Sequence, residues 1–123
     1  MTPLALVEDN EDNRLVCEAI LGDRYAIAAY EDGPAALAGI AAAPPALVLL
    51  DISLPGMDGP AVLRALRELP GGATLPVVAL TAHAMPGDRE RYLGLGFDAY
   101  VTKPIVDEEA LVATIERLLS PAR

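Results

Sequence analysis

The chain has 123 residues, 53% apolar and 22% charged, enough for one domain with a real core, too few for two, and far from a disordered composition. Its formal charge of −9, from 18 acidic and 9 basic residues, repels phosphate backbones and argues against nucleic acid as a direct partner. Cys17 is the only cysteine, which excludes an internal disulfide and a cysteine-based zinc site. No apolar run is long enough to cross a bilayer, and no basic stretch followed by an apolar segment marks a leader, so a cytoplasmic protein without a membrane partner is expected.

Apolar runs alternate with helical patterns along the chain. Leu4 to Val7 is a short run that ends in Glu8 and Asp9. Glu11 to Leu21 reads as a helix with Leu15, Val16, Ala19 and Ile20 on one stripe and Gly22 as its stop. Tyr25 to Tyr30 reads as a second strand, and Gly33 to Ala43 as an alanine-rich helix ended by Pro44 and Pro45. Ala46 to Leu50 is continuously apolar and stops at Asp51, the pattern of a strand buried on both faces. Gly59 to Leu69 is helical, with Val62, Leu63, Leu66 and Leu69 on one side and Pro70, Gly71 and Gly72 as its break. Pro76 to Leu80 is another buried strand, ending at Thr81. Pro86 fits the first turn of a helix running to about Leu93, before Gly94 and Gly96. Ala99 to Val101 is a brief strand, and Glu108 to Leu119 a final amphipathic helix carrying Leu111, Ile115, Leu118 and Leu119. Strands and helices in strict alternation predict an α/β fold, a parallel sheet covered on both faces.

In such a sheet, ligands bind beyond the carboxyl ends of the strands, where the strand order reverses. Those ends carry Glu8 and Asp9, Asp51, Thr81 and Lys103, so three carboxylates, a hydroxyl and an ammonium are expected on one rim. Lys103 is the only lysine in a chain that otherwise uses arginine, and it stands immediately before Pro104. Carboxylates brought that close repel by roughly a few kcal/mol per pair at an effective dielectric near 20, which a cation between them relieves. The ligands are hard oxygens, suited to Mg²⁺, or Mn²⁺, rather than zinc. Beside such a cation a carboxylate can attack a phosphoryl group, whose equatorial oxygens then need positive charge and donors such as Lys103 and Thr81. Asp51 ends the most buried run and is the expected nucleophile; Glu8 and Asp9 are better placed as metal ligands. Taken singly, Asp9 reads as a helix cap, Thr81 as an ordinary strand residue and Lys103 as a surface charge. Their occurrence at successive strand ends is what argues for a site.

The segments Leu6-Val7-Glu8-Asp9-Asn10, Leu50-Asp51-Ile52-Ser53-Leu54-Pro55-Gly56-Met57-Asp58-Gly59, Leu80-Thr81-Ala82 and Tyr100-Val101-Thr102-Lys103-Pro104 resemble those of a response-regulator receiver domain of two-component signalling, from about Leu4 to about Leu119. The chain is similar to single-domain regulators of the chemotaxis and cell-division types. Its Thr81-Ala82-His83-Ala84-Met85 stretch also resembles receivers attached to hybrid histidine kinases.

The resemblance implies a flavodoxin-like, CheY-like doubly wound (βα)5 sheet of order 2-1-3-4-5, with residues 1–123 as one receiver domain. It implies that Asp51 accepts phosphoryl from the phosphohistidine of a histidine kinase or a histidine phosphotransfer protein. Asp9 and Asp51 would hold Mg²⁺ by side chains, Glu8 largely through water and Ser53 by its backbone carbonyl. Lys103 would contact the phosphoryl group, in a loop shaped by a cis bond to Pro104. Thr81 would move toward the phosphoryl group and Tyr100 turn inward, changing the surface of the fourth helix, fifth strand and fifth helix that binds a downstream protein. Ser53 and His83 stand at positions that set the lifetime of the aspartyl phosphate. The expected role is a phosphoacceptor rather than an enzyme acting on a separate substrate.

Three other readings fit these residues less well. A phosphorylation-independent interaction module would be expected to have lost part of the constellation. An aspartate-nucleophile phosphatase usually needs an acid two positions after its nucleophile, where this chain has Ser53. A flavin-binding domain would cradle phosphate after its first strand, where Glu8-Asp9-Asn10-Glu11-Asp12 would repel it. Met1 at one end and helix almost to Arg123 at the other lead to the expectation of a stand-alone chain without an output domain, against a fragment of a hybrid kinase.

Overall fold

The computed structural model describes residues 1–54, 56–82, 85–103 and 108–119. The elements run β1 (Thr2–Val7), α1 (Glu11–Leu21), β2 (Tyr25–Tyr30), α2 (Gly33–Ala42), β3 (Leu47–Asp51), α3 (Gly59–Glu68), a 3-10 turn (Gly72–Thr74), β4 (Val77–Thr81), α4 (Asp88–Leu95), β5 (Ala99–Thr102) and α5 (Glu108–Leu119). All five strands are parallel, in the order β2-β1-β3-β4-β5. This is the doubly wound sheet that the resemblance implies, and its direction of winding reverses between β1 and β3.

Alternation along the strands feeds two cores. Ala5 and Val7 of β1, Val48 and Leu50 of β3, and Val77 and Ala79 of β4 face Ala36, Ile40, Val62, Leu63 and Leu66 of α2 and α3. The intervening Leu4, Leu6, Leu47, Leu49, Val78 and Leu80 face Cys17, Leu21, Leu111 and Ile115 of α1 and α5. The central strands therefore carry buried side chains at every position from Leu47 to Asp51 and from Val77 to Thr81. Such a strand reads as an unbroken apolar run.

Three details depart from the sequence expectation. Of the Leu15–Val16–Ala19–Ile20 stripe of α1 only Ile20 packs against the core: Leu15 and Val16 are 55% and 43% exposed, and Ala19 is exposed. Asn10 caps the helix by accepting from the Asn13 amide at 3.0 Å. From that start the helical phase turns Arg14, Cys17 and Leu21 toward the sheet, with Cys17 and Leu21 buried and Arg14 half-buried at the edge. Pro86 likewise lies in a turn before α4 rather than in its first turn. Gly87, in the left-handed region at φ 86°, is the N-cap, and the Asp88 carboxylate accepts from the Met85 amide at 2.9 Å. β1 also begins two residues earlier than expected, because Thr2 and Pro3 pair with Tyr25 and Ala26.

Candidate functional site

The register brings the acidic residues together. Val7 lies opposite Leu50, so Glu8, the next residue, stands beside Asp51 at the end of β3. Asp51 in turn lies opposite Leu80, one residue before Thr81. Glu8, Asp51 and Thr81 are 1%, 3% and 1% exposed, whereas Asp9 is open to solvent at the mouth. One carboxylate oxygen from each of Glu8, Asp9 and Asp51 can be chosen so that all three lie within 4.8 Å of one another.

The segment after Asp51 is built to hold it. The Ser53 amide donates to Asp51 Oδ1 at 2.9 Å. The chain then folds back so tightly that a Cβ on Gly59 would lie 2.5 Å from the Ile52 Cα, and Gly56 takes φ 78°. Asp58 caps α3 by accepting from the Ala61 amide at 3.0 Å. The Gly-Met-Asp-Gly part of the motif thus serves the backbone that presents Asp51.

Lys103 enters from the end of β5. Its amide donates to the Thr81 carbonyl at 2.7 Å, fixing the two residues side by side. Its Nζ lies 2.8 Å from Glu8 Oε1 and 3.2 Å from Asp51 Oδ2. A single ammonium cannot neutralise three carboxylates. Among the described residues, the buried Glu8 Oε2 finds no hydrogen-bond partner. Burial, and next the neighbouring Asp51 carboxylate, push Glu8 up to about 7 against the pull of Lys103. Burial also acts to raise Asp51, but the Glu8 carboxyl, the Ser53 amide and Lys103 outweigh it and hold Asp51 below the usual carboxylate range. Burial would lower Lys103, yet the two acids keep it above the ordinary lysine value. Of the two acids, Glu8 is therefore the more readily protonated and Asp51 the more readily ionised, while Lys103 stays charged. An unpartnered buried oxygen, an excess of negative charge and an all-oxygen donor set fit a hard divalent cation such as Mg²⁺.

The remaining sequence-derived positions are placed less completely. Ser53 is exposed next to Asp51. Tyr100, half-buried on β5, stacks on Tyr92 of α4 with ring centroids 5.9 Å apart and planes 12° from parallel. The Tyr100 hydroxyl is buried without a partner among the described residues. His83 and Pro104 lie outside the described residues. Sequence patterning misses Arg14, whose guanidinium Nη1 donates to the Glu8 carbonyl at 2.9 Å. The only available signal is a cation in the first turns of a helix that follows an acidic strand end.

The family model for the response regulator receiver domain matches residues 4–116. The chain belongs to this family. Among curated relatives, the sensor histidine kinase GacS of Pseudomonas protegens is 41% identical over 107 residues, covering 84% of this receiver but 12% of the kinase. The response regulator PleD of Caulobacter vibrioides is 40% identical over 116 residues, 94% of the receiver and 25% of PleD. The receiver thus spans a small part of the length of these relatives. Among solved structures, the receiver domain of sensor histidine kinase PA1611 from Pseudomonas aeruginosa, with a magnesium ion coordinated in its active-site cleft, superposes with a TM-score of 0.87. It is 34% identical, with 96% of this chain and 97% of that one covered. The chain is therefore a receiver domain of two-component signalling, homologous both to response regulators and to receivers of sensor kinases. No helix among the described residues is long and apolar enough to cross a membrane.

Proposed function

We propose that this receiver accepts a phosphoryl group on Asp51 from the phosphohistidine of a histidine kinase or a histidine phosphotransfer protein. The observation that supports this most is the sharing of Lys103 between Glu8 and Asp51, which leaves Asp51 buried, ionised and backed by an ammonium. An Asp51 carboxylate oxygen attacks phosphorus as the bond from phosphorus to the imidazole nitrogen breaks, and that nitrogen keeps the electron pair. Lys103 and the Thr81 hydroxyl stand at the adjacent strand ends to receive the transferring oxygens. Asp9, Asp51, Glu8 and the Ser53 carbonyl would hold Mg²⁺, which supplies charge neutralisation for the incoming phosphoryl oxygens.

The product is a switched state rather than a turned-over substrate. Ser53 stands where a phosphatase would need an acid, so the protein is read as a phosphoacceptor and not as an enzyme on a separate substrate. Output runs through the α4-β5-α5 surface to a downstream protein. None of the α4 residues is buried, and the buried Tyr100 hydroxyl beneath that surface has no hydrogen-bond partner among the described residues. Both features suit a segment that repacks when Thr81 and Tyr100 move. Ser53 and His83 set how long the aspartyl phosphate survives.

The test is incubation with Mg²⁺ and acetyl phosphate followed by intact-mass spectrometry. Wild type gains one phosphoryl mass, and Asp51→Asn gains none. A wild type that gains nothing, or an Asp51→Asn variant that gains as much, refutes the reading. Continuous release of phosphate would instead mark a phosphatase. The kinase-attached relatives favour a second setting, a receiver within a hybrid kinase relay. It is tested by whether phosphorylated receiver passes its group back to a histidine phosphotransfer protein.

A further inference from the structure

Arg14 is held at the base of the loop that carries Glu8 and Asp9. Its side chain is 17% exposed, and Nη1 donates to the Glu8 carbonyl at 2.9 Å. On the other side of the same residue, the Glu8 amide donates to the Tyr30 carbonyl at 3.0 Å. Glu8 is thus gripped at both backbone groups, between the end of β2 and the first turns of α1. Asn10 closes the loop by accepting from the Asn13 amide with its side chain and from the Arg14 amide with its carbonyl. The ion pair from Arg14 Nη2 to Glu31 at 3.7 Å contributes little, because Glu31 is 78% exposed.

We propose that Arg14 is a positioning residue for cation binding: by holding the Glu8 carbonyl it fixes the Glu8–Asp9 backbone so that both carboxylates meet Asp51 in one cluster. The inference rests on the Mg²⁺ reading above. Groups that orient metal ligands without touching the metal commonly change affinity by one to two orders of magnitude when removed. Charge alone acts in the opposite direction, since a nearby guanidinium repels a divalent cation. The sign of the effect therefore separates the two roles. If Arg14 positions Glu8 and Asp9, its removal weakens Mg²⁺ binding; if it acts only as a charge, its removal tightens it.

The experiment is calorimetric titration of the full chain with MgCl₂, paired with amide hydrogen exchange of residues 8–10 in metal-free protein. Arg14→Met keeps the length of the stem and loses both donor and charge. It is expected to raise the Mg²⁺ Kd about tenfold, at the low end for such groups, and to speed exchange at the Glu8 amide. Arg14→Lys, which can still donate to the carbonyl, restores most of the affinity. Glu31→Gln leaves affinity at the wild-type level. Should Arg14→Met fail to fold, Arg14→Gln, too short to reach the carbonyl, serves in its place with the same expectation. Unchanged or tighter binding in the Met or Gln variant overturns the inference, as does a Glu31→Gln variant that weakens as much as they do. A wild type that binds no Mg²⁺ overturns the Mg²⁺ reading, and this inference with it.

Discussion

Glu8 makes the metal-free protein sensitive to pH in a direction opposite to most carboxylates. Its carboxyl is raised from 4.5 to about 7, first by burial and then by Asp51. Between these values the folded protein holds a proton that the unfolded chain has released, so stability falls as pH rises. The decline begins above the unfolded value and is complete just past pH 7. At 1.36 kcal/mol per pK, the gap corresponds to roughly 3 kcal/mol, an upper end because Asp51 shares the proton. Asp51, held low, contributes with the opposite sign and only at acid pH, since its stabilisation is lost as pH falls. Urea unfolding in EDTA from pH 5.5 to 8 should show the loss. Glu8→Gln, neutral throughout, should flatten it, and Mg²⁺ should reverse it by favouring the ionised carboxylate. A wild-type stability that does not fall over this range, or a Glu8→Gln variant that falls as steeply, would refute the reasoning.

Other expectations are local. Arg67 donates to the carbonyls of Gly72, Leu75 and Gly96 and to Asp98 Oδ2, which also accepts from the Val77 amide. Arg67→Ala should cost about 2–4 kcal/mol in urea unfolding, as several charge-assisted bonds tying α3 to the turn before β5 are lost together. Gly59→Ala should destabilise by about 1–3 kcal/mol and slow phosphorylation, because its methyl group would strike the Ile52 backbone next to Asp51. The Cys17 thiol, buried and pushed up to about 11 first by burial and next by Glu8, should resist alkylation by iodoacetamide at pH 8 in native protein and react readily in urea.

Much of the fold is legible in the sequence for a specific reason. A strand covered on both faces must be apolar at every position, so Leu47–Leu50 and Val77–Leu80 stand out as runs, and the polar residue ending each run marks the rim. Asp51 and Thr81 are readable in that way, and Lys103 as the only lysine in the chain. Helix α1 is harder, because apolar residues occupy both of its faces and the buried face is chosen by where Asn10 starts the helix. The exposed Leu15 and Val16 consequently pass for core. Arg14 and Arg67 are invisible to hydrophobic patterning altogether. Most of their partners are backbone carbonyls, which leave no mark in the side-chain sequence, and one of those on Arg67, Gly96, lies 29 residues further along the chain. Pro86 is compatible with either a turn or a first helical residue, and Gly87 at positive φ decides for the turn. The expected roles of His83 and Pro104 fall outside the described residues.

The most direct measurement is the site of phosphorylation. After treatment with acetyl phosphate and Mg²⁺, borohydride reduces an aspartyl phosphate to homoserine, and peptide mass mapping locates it. Homoserine at position 51 alone is the expected result; homoserine at Asp9 or another acid, or none in a protein that binds Mg²⁺, would contradict the assignment of Asp51 as the acceptor.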